Sequence, residues 1–152
     1  VWATKQWTEE GFVQVAQKLF KTTNVYILGA GTEIELCQRI AYQSGAYCLA
    51  GKTSVFESAQ IIAQADLVIA NDSAPSHLAS ACDVPVISLF GPTVIEFGYR
   101  PWQNQTFIMQ DSGLACRPCG PHGHRQCPLG THACMKNITA EKVFQLAQGI
   151  LQ

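Results

Sequence analysis

The sequence predicts an α/β fold, a doubly wound parallel sheet with helices on both faces. Short apolar runs alternate along the chain with longer segments in which apolar residues recur at helical spacing, and this alternation is typical of βαβ units. The apolar runs are continuous rather than interrupted at every second residue, as expected for strands that are buried on both faces. Residues 1–152 contain no repeat and no linker, so the sequence predicts one domain.

The beginning of the chain predicts two helices and two short strands. Thr8 is a residue type that caps helices, and two glutamates follow it where the helix dipole favours negative charge. The apolar run at 25–28 predicts a buried strand that ends at a glycine. A second helix is expected at 33–44, and a second short strand at 47–50.

The rest of the chain predicts three more strands and three more helices. The helices are expected at 55–64, 75–82 and 139–151, and the strands at 67–70, 86–90 and 105–109. In the first of these helices Val55 and Ile62 share an apolar face that should point inward. We expect strands 67–70 and 86–90 to be parallel neighbours at the centre of the sheet.

Composition and charge restrict the classes of partner. Hydrophobic residues make up 47% of the 152 residues and charged residues 14%, a composition typical of a globular core. The net charge of -1 gives no reason to expect nucleic acid as a partner. No apolar run approaches the roughly 20 residues that a membrane-spanning helix needs. The chain starts at Val1 without an initiator methionine, from which we expect that it is excised from a longer protein.

Three loops carry residues suited to binding a ligand. They follow the carboxyl ends of predicted strands, which is where sheets of this kind bind ligands. In the first loop, Gly29 and Gly31 allow close backbone approach, and the N-terminus of the next helix attracts anions. The same glycines are equally typical of a tight turn, and Glu33 of a helix start. In the third loop, Gly91 and Thr93 follow a strand directly, and an ordinary turn is the alternative there.

The second loop is the most informative, because it runs Asn-Asp-Ser-Ala-Pro-Ser-His from residue 71 to residue 77. Either Asp72 or Ser73 can cap the helix that follows, and His77 alone is typical of a partly buried histidine. Those interpretations do not explain so many polar residues at one strand end. Hydroxyls and free N–H groups at this place suit a pyrophosphate or a sugar.

Four cysteines cluster in the segment 111–137, where all periodicity is lost. They are Cys116, Cys119, Cys127 and Cys134, in the pattern C-x2-C-x7-C-x6-C. Four thiolates can bind Zn²⁺ tetrahedrally, and a structural metal would order a segment that lacks a core. The second pair is spaced x6 rather than x2, unlike a standard zinc knuckle. Free thiols and disulfides therefore remain open as alternatives to zinc.

Several segments together resemble one known family, glycosyltransferase family 9, which includes the ADP-heptose:lipopolysaccharide heptosyltransferases. The segments that match it in order and spacing lie at 4–7, 50–54, 65–79 and 90–93. The specific part is Asn-Asp-Ser with His77, followed by Phe-Gly-Pro-Thr. A dehydrogenase-type domain is disfavoured, because Ile34 stands where the third glycine of a dinucleotide fingerprint would be.

The resemblance implies the GT-B architecture, in which two Rossmann-like domains face each other across a cleft. Residues 1–152 would be the C-terminal, nucleotide-sugar-binding domain, with a Cys-rich loop at 111–137 and a closing helix at 139–151. The N-terminal domain, which binds the acceptor in this family, would be missing. Because that domain also supplies the catalytic base, no catalytic residue is assigned in this chain.

The resemblance also implies roles for individual residues. Lys5 would contact the donor phosphate, Glu33 the adenosine ribose, and Asp72 the transferred sugar. We expect Glu33 and Asp72 to share one cleft with Ser73 and Thr93, and Lys5 to lie at the edge of that cleft. The full expected donor-binding set is Lys5, Gly29, Gly31, Glu33, Asn71, Asp72, Ser73, Ala74, His77, Gly91 and Thr93. Many family members have Gly-Leu or Gly-Pro where this chain has Ala-Pro at 74–75, which bears on the heptose contacts.

The implied function is binding of ADP-heptose for inverting transfer of heptose to the lipopolysaccharide inner core, with no cofactor required for transfer. The lipid A-core acceptor would bind through the missing domain, so the isolated half is expected to be an inactive part of a glycosyltransferase. The resemblance implies a cytoplasmic enzyme with peripheral contact at the inner membrane. The alternatives are a nucleotide-binding or zinc-stapled interaction domain without transfer activity, and a transferase that uses another nucleotide sugar.

Overall fold

The computed structural model describes residues 2–102 and 105–152, so that the expectation drawn from Val1 lies outside the described residues. The helices are α1 Glu9–Leu19, α2 Ile34–Ser44, α3 Val55–Ile62, α4 Ala74–Ala81, α5 Ala133–Lys136 and α6 Ala140–Ile150. The strands are β1 Tyr26–Ile27, β2 Tyr47–Cys48, β3 Val68–Asn71, β4 Val86–Phe90 and β5 Thr106–Gln110. Short 3-10 helices cover Ala3–Lys5, Gly31–Glu33 and Ile95–Phe97.

All strand pairs in the described part of the chain are parallel, as the sequence predicts. β3 lies beside β4 with Ala70 opposite Ser88, and β5 lies on the other side of β4. β1 pairs with β2 in a separate ladder of two residues each. The sequence predicts a single parallel sheet, whereas the structure has two separate parallel ladders. The separation arises because β1 and β2 are only half as long as predicted.

Helices cover both faces of β4, which confirms the doubly wound arrangement. Because side chains alternate along a strand, Ile87 points to the face that packs on α1 and α6, where Val143 is fully buried. Val86 points to the opposite face and shares a buried cluster with Ile62 and Ala79, on α3 and α4. The two clusters hold the carboxyl ends of β3 and β4 in fixed register.

Local capping signals decide where two helices begin. The Thr8 hydroxyl accepts the Gly11 N–H at 3.0 Å, and the Thr139 hydroxyl accepts the Lys142 N–H at 3.4 Å, as side-chain N-caps do. Val55 was expected to face inward, and this expectation is wrong, since it is 74% exposed. It occupies the first turn of α3, whereas the helix is buried through its C-terminal end, at Ile62.

No helix among the described residues is long and apolar enough to cross a membrane. The segment 111–137 is irregular apart from α5, which packs against β4 and so against the central strand of the sheet. This segment therefore lies beside the carboxyl end of β4, where the loop with Gly91 and Thr93 begins.

Candidate functional site

A buried carboxylate at the end of β3 joins three segments that are distant in the sequence. The Lys5 ammonium donates to Asp72 Oδ2 at 2.6 Å, and the Thr93 hydroxyl donates to the same oxygen at 2.8 Å. The Asp72 side chain is only 3% exposed and that of Lys5 is 12% exposed. The prediction that Asp72 and Thr93 lie together is confirmed, but Lys5 lies in their midst rather than at the edge.

The two donors leave the second oxygen of Asp72 unused. Both contacts fall on Oδ2, and no donor in the described residues bonds Oδ1. Among those residues, the side-chain atoms sealed from solvent without a partner are Ser88 Oγ, Thr106 Oγ1 and Arg117 Nε. Oδ1 of Asp72 is not one of these sealed atoms, although the side chain as a whole is only 3% exposed. An anchored carboxylate with one free oxygen is suited to accept a ligand hydroxyl.

Trp7 ties the segment that carries Lys5 to the protein core. Its backbone N–H donates to Asn71 Oδ1 at 2.9 Å, and its indole N–H donates to the Ile138 carbonyl at 2.9 Å. Trp7 is itself buried. Asn71, predicted to bind the donor, therefore already uses its side-chain oxygen to position the Lys5 segment.

Tyr99 forms part of the surroundings of Lys5 and was not predicted. The Lys5 ammonium lies 5.1 Å from the centre of the Tyr99 ring, within range of a cation–π interaction. The Tyr99 hydroxyl is 3.1 Å from His122 Nδ1, in the Cys-rich loop. The one clue in the sequence is an aromatic residue soon after the Phe-Gly-Pro-Thr loop.

The start of α4 lacks a side-chain cap, which contradicts the capping interpretation of Asp72 and Ser73. Ser73 stands at the N-cap position but makes no capping bond, and its hydroxyl donates to the Asn71 carbonyl at 3.2 Å. Asp72 is occupied by Lys5 and Thr93. Ala74 and His77 lie exposed on α4, so the alternative interpretation of His77 as a partly buried histidine is wrong. The expected contacts of both residues with the donor remain predictions.

Contacts within the first loop, and between this loop and α2, account for two of its residues. The Glu33 carboxylate accepts the Ala30 N–H at 3.0 Å and so closes its own turn. A Cβ on Gly29 would lie 2.5 Å from Cys37 Sγ, so this glycine is required by packing against α2. Gly31 is exposed and has open space around it. The described contacts of Glu33 stay within its own loop, and its expected ribose contact remains a prediction.

Gly91 also has a packing role. A Cβ at this position would lie 2.9 Å from Met135 Cε and Cγ, on α5. The glycine therefore allows the Cys-rich segment to pack closely on the loop after β4. Its expected contact with the donor remains a prediction.

The Cys-rich loop does not assemble the metal site that its spacing suggests. Within residues 2–102 and 105–152 no group of three or more His, Cys, Asp or Glu side chains could hold a metal ion. Cys116 is exposed whereas Cys134 is buried on α5, and each of the four thiols is free. The predicted convergence of Cys116, Cys119, Cys127 and Cys134 on one point is therefore not seen among the described residues.

Direct hydrogen bonds order this loop instead and attach it to the site. The Cys119 N–H donates to the Pro92 carbonyl at 2.8 Å. The Thr4 hydroxyl donates to the His124 carbonyl at 2.6 Å, and His132 Nε2 lies 3.0 Å from the Thr4 carbonyl. The loop thus braces the segments on both sides of Asp72.

The cysteines of the loop differ in their ionisation. The His132 N–H donates to Cys127 Sγ at 3.4 Å, and this bond, with backbone bonds from Leu129 and Thr131, lowers the pKa of the Cys127 thiol. Burial raises the pKa of the Cys119 and Cys134 thiols. Cys127 is therefore the thiol of the loop whose environment favours the thiolate.

Arg117 is the residue that the sequence interpretation missed. Its Nη2 donates to the Thr93 carbonyl at 2.6 Å and to Gln110 Oε1 at 2.9 Å, and its Nη1 donates to the Asp111 carbonyl. Burial lowers the pKa of this guanidinium, although arginine stays charged. Its position between the first two cysteines of the loop was the one available signal.

Comparison with known proteins gives consistent matches. The family model of Glycosyltransferase family 9 (heptosyltransferase) matches residues 1–132. Lipooligosaccharide heptosyltransferase 2 of Campylobacter jejuni subsp. jejuni serotype O:2 is 36% identical over 99% of this chain and 48% of its own length. The chain thus spans about half the length of the curated relatives it matches.

Solved structures show the same fold. The chain is similar to the ADP-heptose lps heptosyltransferase II of E. coli, with a TM-score of 0.79 and 22% identity over 97% of this chain and 42% of that one. It is also similar to E. coli heptosyltransferase WaaC with ADP-2-deoxy-2-fluoro heptose, with a TM-score of 0.69 and 24% identity over 95% of this chain and 39% of that one.

Proposed function

This chain belongs to glycosyltransferase family 9, and we propose that it is the half of a heptosyltransferase that binds the donor, ADP-heptose. The parent enzyme would transfer heptose with inversion to the lipopolysaccharide inner core. One observation carries the proposal: Lys5, Asp72 and Thr93 meet at the carboxyl ends of β3 and β4, and no donor in the described part of the chain bonds the second carboxylate oxygen. This is the position at which doubly wound sheets bind nucleotides.

Transfer of the sugar requires such a site to stabilise the leaving diphosphate and to hold the sugar. An acceptor hydroxyl attacks the anomeric carbon, the bond from that carbon to the diphosphate oxygen breaks, and ADP leaves with the bonding electrons. The leaving diphosphate gains negative charge, which the Lys5 ammonium would stabilise. The sugar must be held in place, and the free Oδ1 of Asp72 would accept one of its hydroxyls. The acceptor proton goes to a base that we place outside this chain.

Lys5 can serve the phosphate without leaving Asp72. An ammonium group carries three donors, and among the described residues the only hydrogen-bond acceptor of Lys5 Nζ is Asp72 Oδ2. A phosphate oxygen would add a second acceptor beside it. The uncapped start of α4 lies next to Asp72, and the positive end of its helix dipole would favour a phosphate there. Pro75 has no N–H, and the Ser76 N–H already donates to the Ser73 carbonyl at 3.1 Å.

The relatives support the choice of nucleotide and sugar. One similar protein was solved with ADP-2-deoxy-2-fluoro heptose, and the Campylobacter relative is a lipooligosaccharide heptosyltransferase. We carry both to this chain as parts of the proposal: the donor binds here, and the lipid A-core acceptor binds to the other half. A cytoplasmic enzyme with peripheral contact at the inner membrane follows from the same proposal.

Titration of the 152-residue chain with nucleotides tests the proposal. We expect ADP-heptose to bind more tightly than ADP, and both to bind more tightly than UDP-glucose, GDP-mannose or NAD. Binding of ADP without any gain from the sugar would favour the alternative of a plain nucleotide-binding module. A preference for a UDP- or GDP-sugar would favour a transferase with another donor. A preference for NAD would refute both the heptosyltransferase hypothesis and the hypothesis of a transferase with another donor.

No step of the proposal uses a metal. The loop cysteines form no group that could hold zinc in the described residues, so zinc remains a prediction from their spacing alone. Elemental analysis of protein purified under reducing conditions decides it. One equivalent of zinc, lost together with order at 111–137 on chelation, would show that a metal draws the sulfurs together. Absence of zinc with four titratable thiols would leave hydrogen bonds as the organising force.

A further inference from the structure

Arg117 connects the Cys-rich loop to the backbone of the candidate site. Its Nη2 donates to the Thr93 carbonyl at 2.6 Å and to Gln110 Oε1 at 2.9 Å, and its Nη1 donates to the Asp111 carbonyl. The guanidinium therefore joins the loop that follows β4 to the end of β5. Its planar arrangement of donors fixes directions as well as distances.

Thr93 passes this constraint on to Asp72. The same residue whose carbonyl is held by Arg117 donates its hydroxyl to Asp72 Oδ2 at 2.8 Å. Thr93 is fully buried, and its branched side chain has few rotamers. Once the backbone of Thr93 is held, the hydroxyl position is set, and with it the orientation of the carboxylate.

Stability alone does not account for a guanidinium at this place. Arg117 Nε is sealed from solvent and has no hydrogen-bond partner in the described residues. Desolvating a cation with one donor unpaired is costly, and apolar side chains often serve as well or better in such positions. What a guanidinium supplies and an apolar side chain does not is a fixed direction at the Thr93 carbonyl.

We propose that Arg117 is a positioning residue of the donor site, which acts through Thr93 to hold Asp72 with Oδ2 anchored and Oδ1 free for a sugar hydroxyl. This inference rests on the proposed function. It gives the Cys-rich loop a role in sugar recognition, although none of its cysteines contacts Asp72. Loss of Arg117 should therefore affect the sugar part of the donor and spare the nucleotide.

Binding of ADP and of ADP-heptose to Arg117→Gln tests this, because the preference for ADP-heptose isolates the sugar. The chain has a buried core on each face of β4, so calorimetry is done on the 152-residue chain. We expect the preference to fall about tenfold, the effect of one charge-assisted hydrogen bond, with the affinity for ADP unchanged. The matched control is Arg125→Gln, an exposed arginine of the same loop, which should leave both affinities unchanged.

Two further variants keep the test decisive if Arg117→Gln folds poorly. Arg117→Lys retains a donor for the Thr93 carbonyl and should recover part of the preference. In a Thr93→Val background the hydroxyl is already absent, so replacing Arg117 should cause no further loss of preference. A merely structural arginine would instead lower both affinities together, additively with Thr93→Val, and that result overturns the inference.

The outcomes separate the inference from the function on which it rests. If the wild-type chain prefers ADP-heptose and Arg117→Gln keeps that preference, the positioning role is wrong and the proposed function stands. If the wild-type chain gains nothing from the sugar, the proposed function fails, and the role of Arg117 fails with it.

Discussion

The ion pair between Lys5 and Asp72 allows the roles of the two residues to be separated. Asp72→Asn removes the negative charge, keeps the shape, and leaves an amide oxygen that can still accept the Thr93 hydroxyl. Lys5 then keeps its charge without a counter-ion at a position that is 12% exposed. Removing one partner of a buried pair costs about 3–5 kcal/mol. We expect the lower end, about 3 kcal/mol, because the amide remains an acceptor.

The loss of stability should be visible in the melting temperature. For a chain of this length about 3 kcal/mol corresponds to a fall of about 6–12 °C. Lys18→Met is the matched control, because Lys18 pairs with Glu141 on the surface, where the two side chains are 40% and 54% exposed. A surface pair of this kind contributes little to stability because solvent screens it, so this variant should melt close to the wild type.

Nucleotide binding should move in the opposite direction from stability. ADP brings a phosphate that can replace the lost carboxylate as partner of Lys5, so Asp72→Asn should bind ADP at least as tightly as the wild type. Lys5→Met loses a charge-assisted contact of about 1.5–3 kcal/mol, that is, about tenfold to a hundredfold in affinity. Calorimetry with ADP measures both. Equal losses of ADP affinity in the two variants would refute the assignment of Lys5 to phosphate and Asp72 to sugar.

Other expected results concern the loop and its packing. Cys127 should be alkylated by iodoacetamide faster than Cys134 and should remain reactive at lower pH, because its pKa is lowered whereas burial raises the pKa of Cys134. Peptide mass spectrometry over a time course measures both rates, and faster reaction of Cys134 would contradict this expectation. Gly91→Ala should destabilise the fold by about 1–3 kcal/mol through overpacking against Met135, as measured by urea unfolding. Gly31→Ala is the control and should lose less stability, because the space around Gly31 is open.

How far the sequence predicts this protein depends on the range over which each signal acts. The caps at Thr8 and Thr139 involve residues three positions apart, so local sequence was sufficient to place the starts of α1 and α6. The continuous apolar run of β4 is decided by burial on both faces, and it predicted the parallel sheet. Together with Asn-Asp-Ser and Phe-Gly-Pro-Thr, these patterns were sufficient to identify the fold, the family and the end of the sheet that carries the site.

Tertiary structure alone decided which polar atoms remain free for a ligand. The sequence assigned Asn71 to the donor, yet its side-chain oxygen already accepts the N–H group of Trp7. The sequence placed four cysteines in one loop, yet within the described residues they form no group of three or more that could hold a metal ion. A hydrogen bond across 21 or more residues leaves no periodic trace in the sequence, because it depends on where the whole chain brings two atoms. Among the described residues no donor bonds Asp72 Oδ1 for this reason: Lys5 and Thr93, 67 residues before it and 21 after it, both bond the other oxygen.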